Sequence, residues 1–158
     1  MTDHDAGFLQ VLIRQVEEDA SINRRVLGEI VFKDAAARQL LNGIVHPAVI
    51  AKQKQWLDEL KARDPNAIGI VEAALMIEVG TYKNYDKLIV VVCSPDEQRR
   101  RLRERSGLTE EQIEDRIRSQ LSMEEKAKFA HYVIDNSGPL DETRSQVKRV
   151  HSLLVSSL

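Results

Sequence analysis

The chain has 158 residues, of which 42% are apolar and 30% charged, and a formal net charge of -2. These proportions are those of a folded domain and exclude a disordered chain. The near balance of charge gives no bulk attraction to nucleic acid or to an anionic membrane, so any affinity for anions has to come from local clustering. One cysteine, Cys93, argues against a disulfide framework and a Cys-based metal site.

In chain order, Phe8, Leu9, Val11, Leu12 and Val16 fall on one face of a short helix. Val26, Leu27, Ile30 and Val31 do the same within Ile22 to Phe32. Ala35 to Ile44 continues the pattern. Pro47 fits the first turn of a longer helix with Val49, Ile50, Gln53, Leu57 and Leu60 on one face, and Asp64-Pro65-Asn66 ends it. Ala67 to Glu72 and Lys87 to Cys93 are short β-branched runs of the kind buried on both faces of a sheet, and His131 to Asp135 is a third strand. Helices separate these runs, so the expected class is α/β with parallel strands. No segment is long enough to act as a linker, so 1–158 reads as one domain. No apolar run approaches a bilayer-spanning length and Met1 to Gly7 carries no signal-peptide pattern, so a reducing cytoplasm is expected.

The chemistry-bearing residues gather between Ser94 and Gly138. On the helix after Pro95, Gln98, Arg101 and Arg105 stand three and four apart and share a face. Clustered guanidinium groups suit phosphate, because each planar fork donates paired hydrogen bonds and keeps its charge. Glu97 stands four residues before Arg101, so surface ion pairs are the alternative. Thr109 with Gln112, and Ser122 with Glu125, have the spacing of capping boxes. They predict two short helices meeting near Leu121, the first carrying Arg116 and Gln120 four apart. Such a pair suits a lid over a phosphate site or a plain helical hairpin.

Asp135-Asn136-Ser137-Gly138 follows the third strand, where parallel sheets bind ligands. An Asn amide and a Gly backbone there can meet a purine edge or simply make a tight turn. His46 before Pro47 can contact a ligand or cap a helix. Glu72 and Glu78 flank an apolar run, where a carboxylate can hold magnesium-bound water or serve as a helix-start charge. No His pair has metal-ligand spacing, and no metal site is expected.

Taken in order, these pieces resemble the dephospho-CoA kinase family of P-loop kinases over about Ile22 to Val147. The carriers are Ile22-Asn23-Arg24 with Leu27-Gly28-Glu29-Ile30-Val31-Phe32, Ile44-Val45-His46-Pro47, Leu75-Met76-Ile77-Glu78, Pro95 with Gln98, Arg101, Leu102 and Arg105, Arg116-Ile117 with Gln120, Glu125-Lys126, and Val133-Ile134-Asp135-Asn136-Ser137-Gly138. The resemblance implies a three-layer parallel sheet with flanking helices of the P-loop kinase type. It also implies transfer of the γ-phosphoryl group of ATP to the 3′-hydroxyl of dephospho-CoA, with Mg2+, in coenzyme A biosynthesis. By resemblance, residues 96–130 form a lid in which Arg101, Arg105 and Arg116 serve catalysis over the phosphates. Asn136 and Gly138 lie by the adenine of ATP, and residues 8–63 form a helical substrate-side region. Arg24, His46 and Glu78 are the expected substrate-binding residues.

The sequence departs from that pattern at its front. The family opens with a strand, a Gly-rich loop ending in Lys-Ser or Lys-Thr, a helix, and a second strand carrying an acidic residue. Met1 to Gly7 has one glycine and no lysine. Smaller departures are Ala74 in place of a common Pro and Asn23 in place of a common Asp. In the family the missing first strand lies between the runs Ala67 to Glu72 and Lys87 to Cys93. Without it these runs must close together, leave a slot or borrow a strand, and unpaired edges favour self-association. The expected function is therefore a dephospho-CoA kinase lacking its amino-terminal portion and inactive as this chain alone. The alternatives are a non-catalytic remnant that binds a coenzyme A precursor or a partner chain, and a related small-molecule kinase.

Overall fold

A computed structural model describes residues 22–158, so the helix expected from Phe8 to Val16 lies outside the described residues. The described residues fall into two compact units, one ending at Gly69 and the other running from Ile70 to Leu158.

In the first unit, helix α1 (Arg24–Lys33) and helix α2 (Ala35–Arg63) meet at a single residue, Asp34. Its N–H donates to the Ile30 carbonyl at 3.0 Å and so closes α1. Its carboxylate accepts from the N–H groups of Ala36 at 2.8 Å and Ala37 at 3.1 Å and so opens α2. Asn23 caps α1 by accepting from the Val26 N–H at 3.1 Å. Asn and Asp make equally good caps, which accounts for Asn at this position. Val31 and Ala37 form the buried centre of the hairpin, with Leu27, Ile30, Leu40 and Leu41 packed around them.

Two sequence expectations fail here. Pro47 does not start a helix: it lies inside α2, which runs unbroken for 29 residues, and His46 is likewise a mid-helix residue. A proline deprives the ladder of one donor, and the bonds on either side are enough to carry the helix through. The run 67–72 forms no strand, because it finds no ladder partner among the described residues. Gly69 lies so close to α2 that a Cβ on it would stand 2.6 Å from Leu57 Cδ2 and 3.1 Å from Leu60 Cδ2.

The second unit holds a parallel pair, β1 (Ile89–Val92) and β2 (Tyr132–Asp135), in register from Ile89 opposite Tyr132 to Val92 opposite Asp135. The sheet among the described residues thus has two strands rather than three. Between the strands run α3 (Pro95–Ser106), α4 (Glu110–Arg118) and α5 (Met123–Ala127), and α6 (Leu140–Val155) follows β2. Both expected capping boxes are present, Thr109 with Gln112 and Ser122 with Glu125. Gly107 ends α3 at φ 57°, a left-handed conformation in which a side chain would be strained. Helix α5 packs on β1, α6 on β2, and α4 on α3. Leu88, Val90, Ile134 and Val150 are buried, and Ile113 of α4 is completely so.

Three substitutions test this account by thermal or urea unfolding. Pro47→Ala should stabilise the first unit by up to about 3 kcal/mol, since proline is the costliest residue in a helix interior. Gly69→Val should destabilise it by about 1–3 kcal/mol through overpacking on Leu57 and Leu60. Ile113→Ala should cost the second unit about 2–5 kcal/mol by opening a cavity.

Candidate active site

The ladder of the second unit ends at Val92 and Asp135, and the chain there is tied by side chains. Ser94 accepts from the Glu97 N–H at 3.3 Å and caps α3, with Pro95 in its first turn. The Asn136 N–H donates to the Val92 carbonyl at 2.8 Å, one step past β2. The Ser94 N–H donates to Ser137 Oγ at 2.8 Å, which joins the two strand ends across 43 residues. Asp135 accepts from the Ser137 N–H at 2.8 Å, and the bonds from Ser137 hold its carboxyl below the usual range. The segment 135–137 is therefore an Asx turn, as the turn reading of the sequence requires.

Arg101 reaches this turn from α3. Its Nη2 donates to the Asn136 carbonyl at 2.7 Å and its Nε to Glu97 Oε1 at 2.6 Å. Arg100 binds the same carboxylate through two bonds, at 2.6 and 2.8 Å. Together, first through Arg100, these bonds overcome the cost of desolvation and hold Glu97 down at about 2. The Asn136 side-chain oxygen accepts from Thr143 Oγ1 at 3.1 Å. At Gly138 a Cβ would stand 2.7 Å from Glu142 Oε2, so the α6 carboxylate lies where a side chain would otherwise be. Burial pushes the Cys93 thiol up, which leaves it a weak nucleophile.

The arginine helix is also pinned to α4. Arg99 pairs with Glu114 at 2.7 Å and Arg103 with Glu110 at 2.6 Å. Most guanidiniums of the run sit in ion pairs, as the surface-pair reading expects, and Arg101 additionally grips the turn after β2.

Of the residues singled out by sequence, Arg101, Asn136 and Gly138 come together at the carboxyl end of the sheet. Arg105 lies in the last turn of α3 and Arg24 opens α1; the side chains of both lie outside the described residues. Arg116 lies half-buried on α4, and His46 half-buried within α2 of the other unit. Glu78 belongs to a separate cluster. It accepts from the Leu121 N–H at 3.1 Å and pairs with Lys126 at 2.9 Å. Burial alone would raise its carboxyl, but the bonds from Lys126 and the backbone outweigh this and hold it below its usual value.

Sequence patterns missed Thr143 and Gln146, and gave no contact to Lys126 or Ser137, though both stand in motifs named above. Their bonds to Asn136, Asp135, Ala74 and Ser94 join residues brought together by the fold. Among the described residues no three His, Cys, Asp or Glu side chains are placed to hold a metal ion. No described helix is long and apolar enough to cross a membrane.

A parallel α/β unit with its polar cluster at the strands' carboxyl ends has the layout of a nucleotide-handling enzyme. The chain belongs to the dephospho-CoA kinase family, whose family model matches residues 9–142. It is 36% identical over 140 residues to the dephospho-CoA kinase of Syntrophus aciditrophicus, covering 89% of this chain and 60% of that one. It is 42% identical over 139 residues to that of Aquifex aeolicus, covering 88% of this chain and 69% of the relative. The solved structure of the dephospho-CoA kinase from Campylobacter jejuni matches with a TM-score of 0.64 at 28% identity, covering 98% of this chain and 80% of that one. The chain thus spans about three fifths of the length of the first of these relatives.

The Glu78 carboxyl gives a pH test. Because its value is lowered in the fold, its contribution is complete above the ordinary carboxylate range and is lost as pH falls through the lowered value. Glu78→Gln should therefore be less stable than the parent at pH 7. The gap should narrow as pH falls below the ordinary carboxylate range, read from urea midpoints across the range.

Proposed function

We propose that this chain carries the base-side and acceptor-side parts of a dephospho-CoA kinase, which transfers the γ-phosphoryl group of ATP to the 3′-hydroxyl of dephospho-CoA. The observation that carries the reading is the Arg101–Asn136 bond of 2.7 Å. It joins the arginine helix, which suits phosphate, to the loop after β2, which suits adenine. Phosphoryl transfer depends mainly on positioning and charge stabilisation, and such a bond fixes the two subsites relative to each other.

In this reading residues 96–130 are the lid, and Arg105 and Arg116 approach the phosphates beside Arg101. Asn136 and Gly138 border adenine. Arg24, His46 and Glu78 serve the acceptor side, with residues 8–63 as the substrate-side region. Glu78 does so indirectly, since its carboxylate already holds Lys126 and the Leu121 N–H. Magnesium belongs to the family reaction, but the described donor set does not form a site for it, so no step here passes through the ion.

The 158 residues hold no Gly-rich loop ending in Lys-Ser or Lys-Thr. The backbone amides and lysine with which such a loop holds β- and γ-phosphates are therefore not supplied by them, and the chain by itself binds ATP weakly and turns over negligibly. A cytoplasmic setting and self-association through unpaired sheet edges belong to the same proposal.

Two measurements on the purified chain test it. Isothermal titration should show dephospho-CoA binding more tightly than ATP, and a coupled ADP-release assay with both substrates should stay at background. Turnover above background would overturn the account of the missing loop, and absence of dephospho-CoA binding would overturn the acceptor-side assignment.

A further inference from the structure

The side chain of Lys126 lies in a place that the reaction reading leaves unexplained. It is the one buried charged residue among those described, at 8% exposure, on a helix of five residues whose other charges face water. Its ammonium donates to Gln120 Oε1 at 2.8 Å and to the Ala74 carbonyl at 3.1 Å, and pairs with Glu78 at 2.9 Å. All three donor positions of the ammonium thus have an oxygen. Glu78 in turn accepts from the Leu121 N–H, in the link between α4 and α5. Glu78 and Ala74 belong to the turn 74–80, which is otherwise closed by local bonds from Val79 to Leu75 and from Gly80 to Ile77.

Lys126 is buried, whereas the Glu78 side chain is 19% exposed, so it is the loss of Glu78 that strands a buried charge. Such an arrangement makes its two sides interdependent. Neither the turn nor the α4–α5 link can move away alone without taking an oxygen partner from the buried ammonium of Lys126 or the Leu121 N–H from Glu78.

We propose that Lys126 is a latch that makes the turn 74–80 and the α4–α5 link open and close as one piece, and so sets the position of α4. The coupling stands on the contacts alone. Its consequence, that the latch governs how Arg116 on α4 approaches a phosphate, rests on the kinase reading.

Amide hydrogen exchange on the full chain tests the coupling without any need for turnover. In Lys126→Met, the amides of Leu121, Val79 and Gly80 should all exchange roughly tenfold faster or more, as expected for loss of charge-assisted hydrogen bonds in a buried site. The β1–β2 ladder amides should keep their rates. Glu78→Gln, which retains the buried cation and the shape of the site, should accelerate the same amides by a smaller factor and serves if the methionine variant does not fold. Lys126→Arg should return them toward the parent rates. The proposal is overturned if the turn and the link respond separately, or if ladder amides accelerate equally, which would make Lys126 only a core residue. Titration with dephospho-CoA then distinguishes the two claims: failure to bind would remove the kinase consequence and leave the coupling intact.

Discussion

The second unit depends on a parallel ladder of only four residues per strand. Parallel pairs are slightly weaker per residue than antiparallel ones, and two such strands do not persist in water by themselves. The fold answers this by extending the ladder with side chains at both ends. At the start, the Leu88 N–H donates to His131 Nδ1 at 3.0 Å while the His131 N–H donates to the Leu88 carbonyl at 2.9 Å. At the far end, Ser137, Asn136 and Arg101 continue the pairing beyond Asp135. The candidate site is thus an extension of the sheet, and its geometry is held by the same bonds that hold the strands together.

The arginine helix shows how one local sequence meets two demands. Arg99, Arg100 and Arg103 are held by Glu114, Glu97 with Glu104, and Glu110, and each guanidinium is made harder to deprotonate by its carboxylate partner. These pairs are exposed, so each contributes little to stability and weakens with salt. Their effect is orientational: Arg99 and Arg103 set α4 beside α3, and Glu97 fixes the guanidinium of Arg101 at an angle from which it reaches Asn136. An incoming phosphate would have to compete with carboxylates that already stand at the same donors.

Local patterns in the sequence were enough to place the two capping boxes, the α1 helix, the two strands and the polar turn after β2, because each is set by residues within a few positions. The α/β class followed from their order. Three features escaped because their causes are not local. Pro47 looks like a helix start to any rule of propensity, but the helical bonds on both sides carry α2 through it. The run 67–72 has strand composition, but a strand exists only with a partner, and α2 is what Gly69 meets. Lys126 carried only the family resemblance in the sequence, and its burial depends on Glu78 and Ala74, about fifty residues away. Arg101 and Asn136 were both singled out, but the bond between them could not be, since nothing in their spacing of 35 residues announces it.

Gln146 has one more consequence. Its amide accepts from the Asp135 N–H at 2.9 Å and donates to the Asp135 carbonyl at 2.8 Å, the pair of bonds that a neighbouring strand would supply. A side chain of α6 therefore occupies the terminal rung of β2 as a one-residue counterfeit strand. The sheet is given a direction by this plug: another strand arriving at that rung would first have to evict Gln146. On the far side of β1, where Val91 remains 52% exposed, no described strand stands in its way.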